Sequence, residues 1–207
     1  MSAPWVAVVP VKHFAVAKSR LEPGVEGKRS ALARAFAADT VTALRTVPEV
    51  RIVVVVTDDQ LAAESVQGPG VAVLEEPVPG GLNRAVTAGI AWVRTHHHDA
   101  AVAVISADLP ALRPQDVSTV LGLAAAHPSA VVADREGTGT TVLTALPGTD
   151  IEPRFGPGSL ALHRAAGAVL VSASGLVRAA RDVDTASQLA EAVALGVGSE
   201  TSRVLDS

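Results

Sequence analysis

A chain of 207 residues with a hydrophobic fraction of 48% can bury a proper core, and its length suits one domain, residues 1–207, better than two. Three Phe, two Trp and no Tyr leave few platforms on which bases could stack, and a net charge of -4 opposes a nucleic-acid or anionic-membrane surface. With no Cys, disulfides, thiol catalysis and zinc–thiolate sites are excluded; no apolar run reaches the roughly 18 residues that cross a bilayer, and Trp5 to Pro10 is too short for a signal core, so a soluble, cytoplasmic protein is expected.

Trp5 to Val11 reads as a first buried strand that empties into a polar loop, where Lys12, Lys18 and Arg20 place three cations within nine residues. A long amphipathic helix follows over about Lys28 to Thr46, with Leu32, Phe36, Thr40 and Leu44 at near-helical spacing. Arg51 to Thr57 is a second buried strand ending in Asp58-Asp59. A short helix to Val66 leads through Gly68-Pro69-Gly70 into a third strand, Val71 to Leu74. Pro77, Pro79, Gly80 and Gly81 break the chain before a helix from Leu82 to about Thr95. His96-His97-His98 at its end reads as a helix terminus favoured by the macrodipole, because adjacent residues do not share a helix face as metal ligands would.

Ala101 to Ile105 is an unbroken run of small and β-branched residues, as in a central parallel strand covered on both faces. Pro110 cannot donate to a sheet ladder and Pro114 suits a first helical turn, so the chain leaves the sheet after Ala107 and restarts as a helix over about Pro114 to Ala126. Asp108 therefore falls at the strand's carboxyl end, where open α/β sheets bind ligands, and a carboxylate there suits a hard cation such as Mg²⁺. The alternative is an Asp that caps the following turn.

Ala130 to Ala133 and Val142 to Leu146 read as strands around Asp134-Arg135-Glu136-Gly137-Thr138-Gly139-Thr140-Thr141. Arg154-Phe155-Gly156-Pro157-Gly158-Ser159 precedes a helix from about Leu160 to Ala166, and Ala168 to Val171 is a short strand. Arg181-Asp182-Val183-Asp184-Thr185 opens a final helix to about Leu195, and the tail after Gly196 is expected to be loose. Strands alternating with helices imply a doubly wound, mostly parallel α/β sheet.

Brought to one sheet edge, these polar clusters would supply cations, a carboxylate pair for Mg²⁺ and two loops rich in backbone N–H donors. Nucleotidyl transfer uses those parts, since it asks for positioning and charge neutralisation rather than covalent work. Gly137 to Thr140 is either an anion-binding nest or an ordinary hairpin. Ser159 is a good N-cap at a helix start that also attracts phosphate. Asp182 and Asp184 point to one side of an extended segment, or else Asp184 or Thr185 caps the helix while Asp182 alone reaches the metal; the split roles are the favoured reading.

Val9-Pro10-Val11-Lys12, Ala17-Lys18-Ser19-Arg20-Leu21, Asp108-Leu109-Pro110, Asp134-Arg135 with Gly137 to Thr140, Arg154 to Pro157 and Asp182 to Thr185 together resemble the CofC/FbiD family, over about residues 5 to 198. These are the phosphoenolpyruvate and 2-phospho-L-lactate guanylyltransferases of coenzyme F-420 biosynthesis. The resemblance implies a three-layer, mostly parallel Rossmann-like sheet of the nucleotidyltransferase type, MobA-like and akin to nucleotide-diphospho-sugar transferases. It implies Mg²⁺ on Asp108 and Asp182, with Asp184 beside them, and acceptor contacts from Thr140, Gly156 and Ser159. Lys12, Lys18 and Arg20 would face the triphosphate of GTP, Lys18 in a catalytic role, while Leu82, Asn83 and Asp59 would lie near the nucleoside. The glycine-free first loop matches this family and counts against a sugar or molybdopterin substrate. Competing readings are a molybdopterin- or cytidylyl-type nucleotidyltransferase on the same fold, and a non-catalytic GTP-binding module. A downstream transferase is a further expected partner.

Overall fold

Short Val-, Ala- and Ile-rich runs form the centre of a seven-stranded sheet in the computed structural model, which describes residues 3–11, 21, 27–75, 81–173 and 175–207. In chain order the elements are β1 (Trp5–Pro10), α1 (Arg29–Arg45), β2 (Val50–Thr57), α2 (Gln60–Val66), β3 (Val71–Glu75), α3 (Leu82–His96) and β4 (Ala101–Ile105). They continue with α4 (Pro114–Ala124), β5 (Ser129–Ala133), β6 (Thr140–Ala145), α5 (Ser159–Ala165), β7 (Val169–Leu170), α6 (Ala186–Leu195) and α7 (Ser199–Leu205). The strand order is β3-β2-β1-β4-β6-β5-β7, and β6 alone runs antiparallel to its neighbours.

Strand residues alternate between faces, and the two faces carry different cores. Trp5, Ala7 and Val9 of β1 join Val53 and Val55 in a cluster with Val41 and Leu44 of α1, Ala62 and Val66 of α2, and Val117 and Leu121 of α4. Val6 and Val8 join Val54, Val56, Val102 and Val104 under Ala85, Val86 and Val93 of α3 and Leu160 of α5. Helices thus cover both faces, which explains why β1 and β4 are apolar throughout instead of alternating.

Gly89 lets α3 lie close to the sheet: a Cβ at this position would come 2.5 Å from Val8 Cγ1 and 3.0 Å from Val56 Cγ2. Gly89→Ala should therefore cost about 1–3 kcal/mol through overpacking, read as a fall of several degrees in Tm. An unchanged Tm would show that α3 shifts freely.

The tail beyond Gly196 is not loose. It forms α7, with Thr201 fully buried, and the carboxylate of Asp39 in α1 accepts from Glu200 N at 3.0 Å and Thr201 N at 2.9 Å. Gly198 N also donates to Pro110 O at 2.9 Å, so this helix braces the turn after Asp108. Leu32 and Phe36 of α1 reach a third apolar cluster with Val183, Leu189 and Ala192, and Val204 and Leu205 pack against it. No described helix is long and apolar enough to cross a membrane.

Candidate active site

Strand order reverses at β1, which lies between β2 and β4, and in doubly wound sheets such a switch point opens a crevice at the carboxyl ends of the strands. Because β6 is antiparallel, its first residues sit at that same edge: Ile105 pairs with Val142, Val132 with Val142, and Ala133 with Thr140. Ser106 N donates to Thr141 O at 2.9 Å. Asp108 after β4, Asp134 after β5 and Thr140 at the start of β6 consequently emerge together, although they span 33 positions of chain.

Thr40 of α1 holds the backbone on both sides of Asp108. Its fully buried hydroxyl donates to Ala107 O and accepts from Leu109 N, each at 3.2 Å. Val183 N then donates to Asp108 O at 3.1 Å, which draws the Asp182–Asp184 segment alongside. Thr40→Val keeps the shape but leaves a buried N–H and C=O unpaired, which should cost about 2 kcal/mol or more. Activity should fall further than the loss of folded protein explains, as measured by turnover per folded molecule; a normal rate would show that Asp108 needs no such bracket.

Among the described residues, Asp182 carries the strongest electrostatic signature. Burial first, then the charges of Asp108 and Asp184, with a smaller push from Asp134, raise its carboxyl to about 7 against the opposing effect of a backbone hydrogen bond. Oδ1 of Asp182 is buried with no hydrogen-bond partner among the described residues. An orphaned acidic oxygen among like charges suits a divalent cation. Among the described residues no group of three or more His, Asp or Glu is arranged to hold a metal alone. Thr185 is the N-cap of α6, accepting from Gln188 N at 3.3 Å in a capping box, while exposed Asp184 donates its N–H to Gln188 Oε1 at 2.8 Å. Just before Asp182, buried Arg181 meets Glu191 of α6 at 2.6 Å, and Glu191 also takes Arg135 of the β5–β6 loop.

The Gly137 to Thr140 segment is a hairpin, not an open nest. Thr138 N and Gly139 N donate to the Asp134 carboxylate at 2.9 and 2.7 Å, so the chain's own anion already fills the concavity. Gly137 takes φ 71° at the turn. Ser159 is likewise not the N-cap of α5: Gly158, at φ 73°, takes that position, and Ser159 becomes the first helical residue, fully buried. Leu160 N donates to Thr138 O at 3.1 Å, joining the two loops.

His163, which composition and motif spacing do not single out, lies at the centre of this side of the site. Its ring is fully buried, with Nδ1 at 3.0 Å from Thr140 Oγ1 and Nε2 accepting from Arg154 N at 2.9 Å. Accepting at Nε2 leaves the proton of the neutral ring on Nδ1, where it donates to Thr140. Burial, and secondarily the charge of Arg154, lower its proton affinity and keep it neutral. Phe155 packs edge-on against the ring at 5.1 Å. The available signal was the i, i+4 spacing of Ser159 and His163, which puts both on one helix face.

Asn83 spends its amide on the same turn, donating to Phe155 O at 3.0 Å and accepting from Phe155 N at 2.7 Å. Asp59 caps α2 through Leu61 N and Ala62 N, at 2.9 and 3.2 Å. Leu82, the first residue of α3, packs at the edge of the core. Lys12, Lys18 and Arg20 lie outside the described residues. His96 stacks on Trp92 at 4.3 Å, which accounts for one of the three adjacent histidines without a metal.

The family described as Guanylyl transferase CofC like matches residues 5–207. The chain is 49% identical over 202 residues to the phosphoenolpyruvate guanylyltransferase of Streptomyces scabiei (strain 87.22), covering 95% of this chain and 94% of that one. It is 45% identical over 201 residues to the protein of the same name from Streptomyces coelicolor, covering 97% and 95%. In fold it resembles a putative nucleotide-diphospho-sugar transferase from Desulfovibrio desulfuricans G20, with a TM-score of 0.64 at 15% identity over 92% of this chain and 96% of that one. A Mycobacterium tuberculosis H37Rv protein solved with manganese aligns at TM-score 0.57 and 16% identity over 94% and 100%.

Proposed function

Because this chain belongs to the CofC-like guanylyl transferase family, we propose that it transfers GMP from GTP to the phosphate of phosphoenolpyruvate, or of 2-phospho-L-lactate, releasing pyrophosphate, in the cytoplasm and toward coenzyme F-420. The observation that carries the reading is Asp182, a half-buried carboxylate whose buried Oδ1 is orphaned among the described residues, beside Asp108 at the sheet edge that also presents Thr140.

Asp108 and Asp182 are the residues that would hold Mg²⁺, with Asp184 adding negative charge nearby. A bound divalent cation supplies charge neutralisation on phosphate oxygens. An oxygen of the acceptor's phosphate attacks the α-phosphorus of GTP, the new phosphoanhydride forms, and the bond to the pyrophosphate oxygen breaks. The nucleophile is already an anion near neutral pH, so no side chain has to remove a proton from it. That agrees with His163, whose two ring nitrogens are both engaged within the protein. Thr140, Gly156 and Ser159 carry the acceptor. Lys12, Lys18 and Arg20 offset the repulsion between two polyanions, while Asp59 and Leu82 flank the nucleoside and Asn83, whose amide is spent on Phe155, braces the acceptor-side turn.

The test is pyrophosphate release from purified protein with GTP, Mg²⁺ and each acceptor in turn, adding the downstream transferase to trap the product. Release with GTP and phosphoenolpyruvate is expected. A preference for CTP, or GTP binding with no release under either acceptor, would overturn the assignment.

A further inference from the structure

We propose that His163 is a positioning residue that sets affinity for the three-carbon acceptor without touching it, because one ring orients the Thr140 hydroxyl and also anchors the Arg154–Gly156 turn. The inference rests on the acceptor site proposed above and extends it to a residue one layer behind.

A threonine hydroxyl has one proton and can both donate and accept. Receiving the His163 Nδ1 proton at 3.0 Å occupies one acceptor direction of Thr140 Oγ1 and turns its own proton away from the ring. That leaves the hydroxyl as an aimed donor, the polarity an oxyanion needs. The opposite nitrogen accepts from Arg154 N, and the next two residues of that strand of backbone are Phe155 and Gly156. Asn83 grips Phe155 by both its N–H and its C=O, so the turn is held from α5 on one side and α3 on the other. Gly156 then presents its backbone at φ 126°, a conformation that side-chain-bearing residues rarely adopt. Holding these groups in place before the ligand arrives removes an ordering cost from binding. Neither bond bears on GTP through any described contact, so the two substrates should respond differently.

Three variants divide the effect. His163→Leu removes both bonds, His163→Asn keeps an N–H donor for Thr140, and His163→Gln keeps an oxygen acceptor for Arg154 N. We expect KM for phosphoenolpyruvate to rise at least tenfold in His163→Leu, with KM for GTP within about twofold of wild type, and each amide variant to recover part of the loss. Tm is measured alongside. If His163→Leu does not fold, the two amide variants decide: a raised acceptor KM with an unchanged GTP KM supports the role. An unchanged acceptor KM, or parallel rises for both substrates that track lost stability, overturns it while wild-type turnover stands. Wild-type protein inert toward both acceptors would instead overturn the underlying reading and this inference with it.

Discussion

Asp108→Asn should slow pyrophosphate release by at least about a hundredfold while Tm stays within a few degrees of wild type. The two halves of this expectation have separate causes. The backbone around Asp108 is fixed by Thr40, by Val183 N and, beyond Pro110, by Gly198 N, and none of these bonds uses the Asp108 side chain. The substitution therefore leaves that backbone frame in place. The charge is another matter, because Asp108 is one of the charges that raise the carboxyl of Asp182, and the proposed cation draws on both. Halving a two-carboxylate site weakens the group that spreads charge on the reacting phosphates, and loss of one such electrostatic contact commonly costs about 10²–10³ in rate. Single-turnover rates with saturating GTP and Mg²⁺ are the measurement. A wild-type rate would remove Asp108 from the chemistry.

Asp182→Asn should have the opposite effect on stability when divalent cations are chelated. An acid whose native carboxyl is raised to about 7 from 3.8 holds its proton more firmly folded than unfolded. Its contribution to stability is then full below the unfolded value and is lost as pH rises through about 7. At pH 8 the wild-type side chain must be buried charged beside Asp108 and Asp184, at a cost on the order of a few kcal/mol. The amide carries no charge, so chelated Asp182→Asn should melt roughly 5 °C or more above wild type at pH 8, by clearly less at pH 5, and the gap should close only as pH falls toward the unfolded value. Added Mg²⁺ should restore wild type, since a ligand that binds only the native state stabilises it, and should do little for the variant. Equal melting of the two proteins at pH 8, with equal response to Mg²⁺, would mean that the burial of Asp182 is compensated elsewhere.

Chain-local chemistry determined much of this protein. Apolar runs such as Ala101–Ile105 and Val53–Val56 have no other stable use than buried strands, and Pro110 with Pro114 forces the exit that leaves Asp108 at a sheet edge. The capping pair Thr185 and Gln188 is three positions apart and likewise readable from sequence. What the chain alone left open depended on partners distant along it. The tail after Gly196 looked loose because its cap is Asp39, 161 positions away from Glu200, and no local pattern announces a cap from another helix. The glycine loop offered a nest or a hairpin until Asp134 was seen to fill it. His163 showed no motif because its meaning lies in which atoms face its two nitrogens, and the raised carboxyl of Asp182 exists only once burial and Asp108 act on it together. Periodicity and backbone restrictions act over a few residues, whereas desolvation, proton placement and long-range hydrogen bonds arise only when the folded chain brings strangers in sequence into contact.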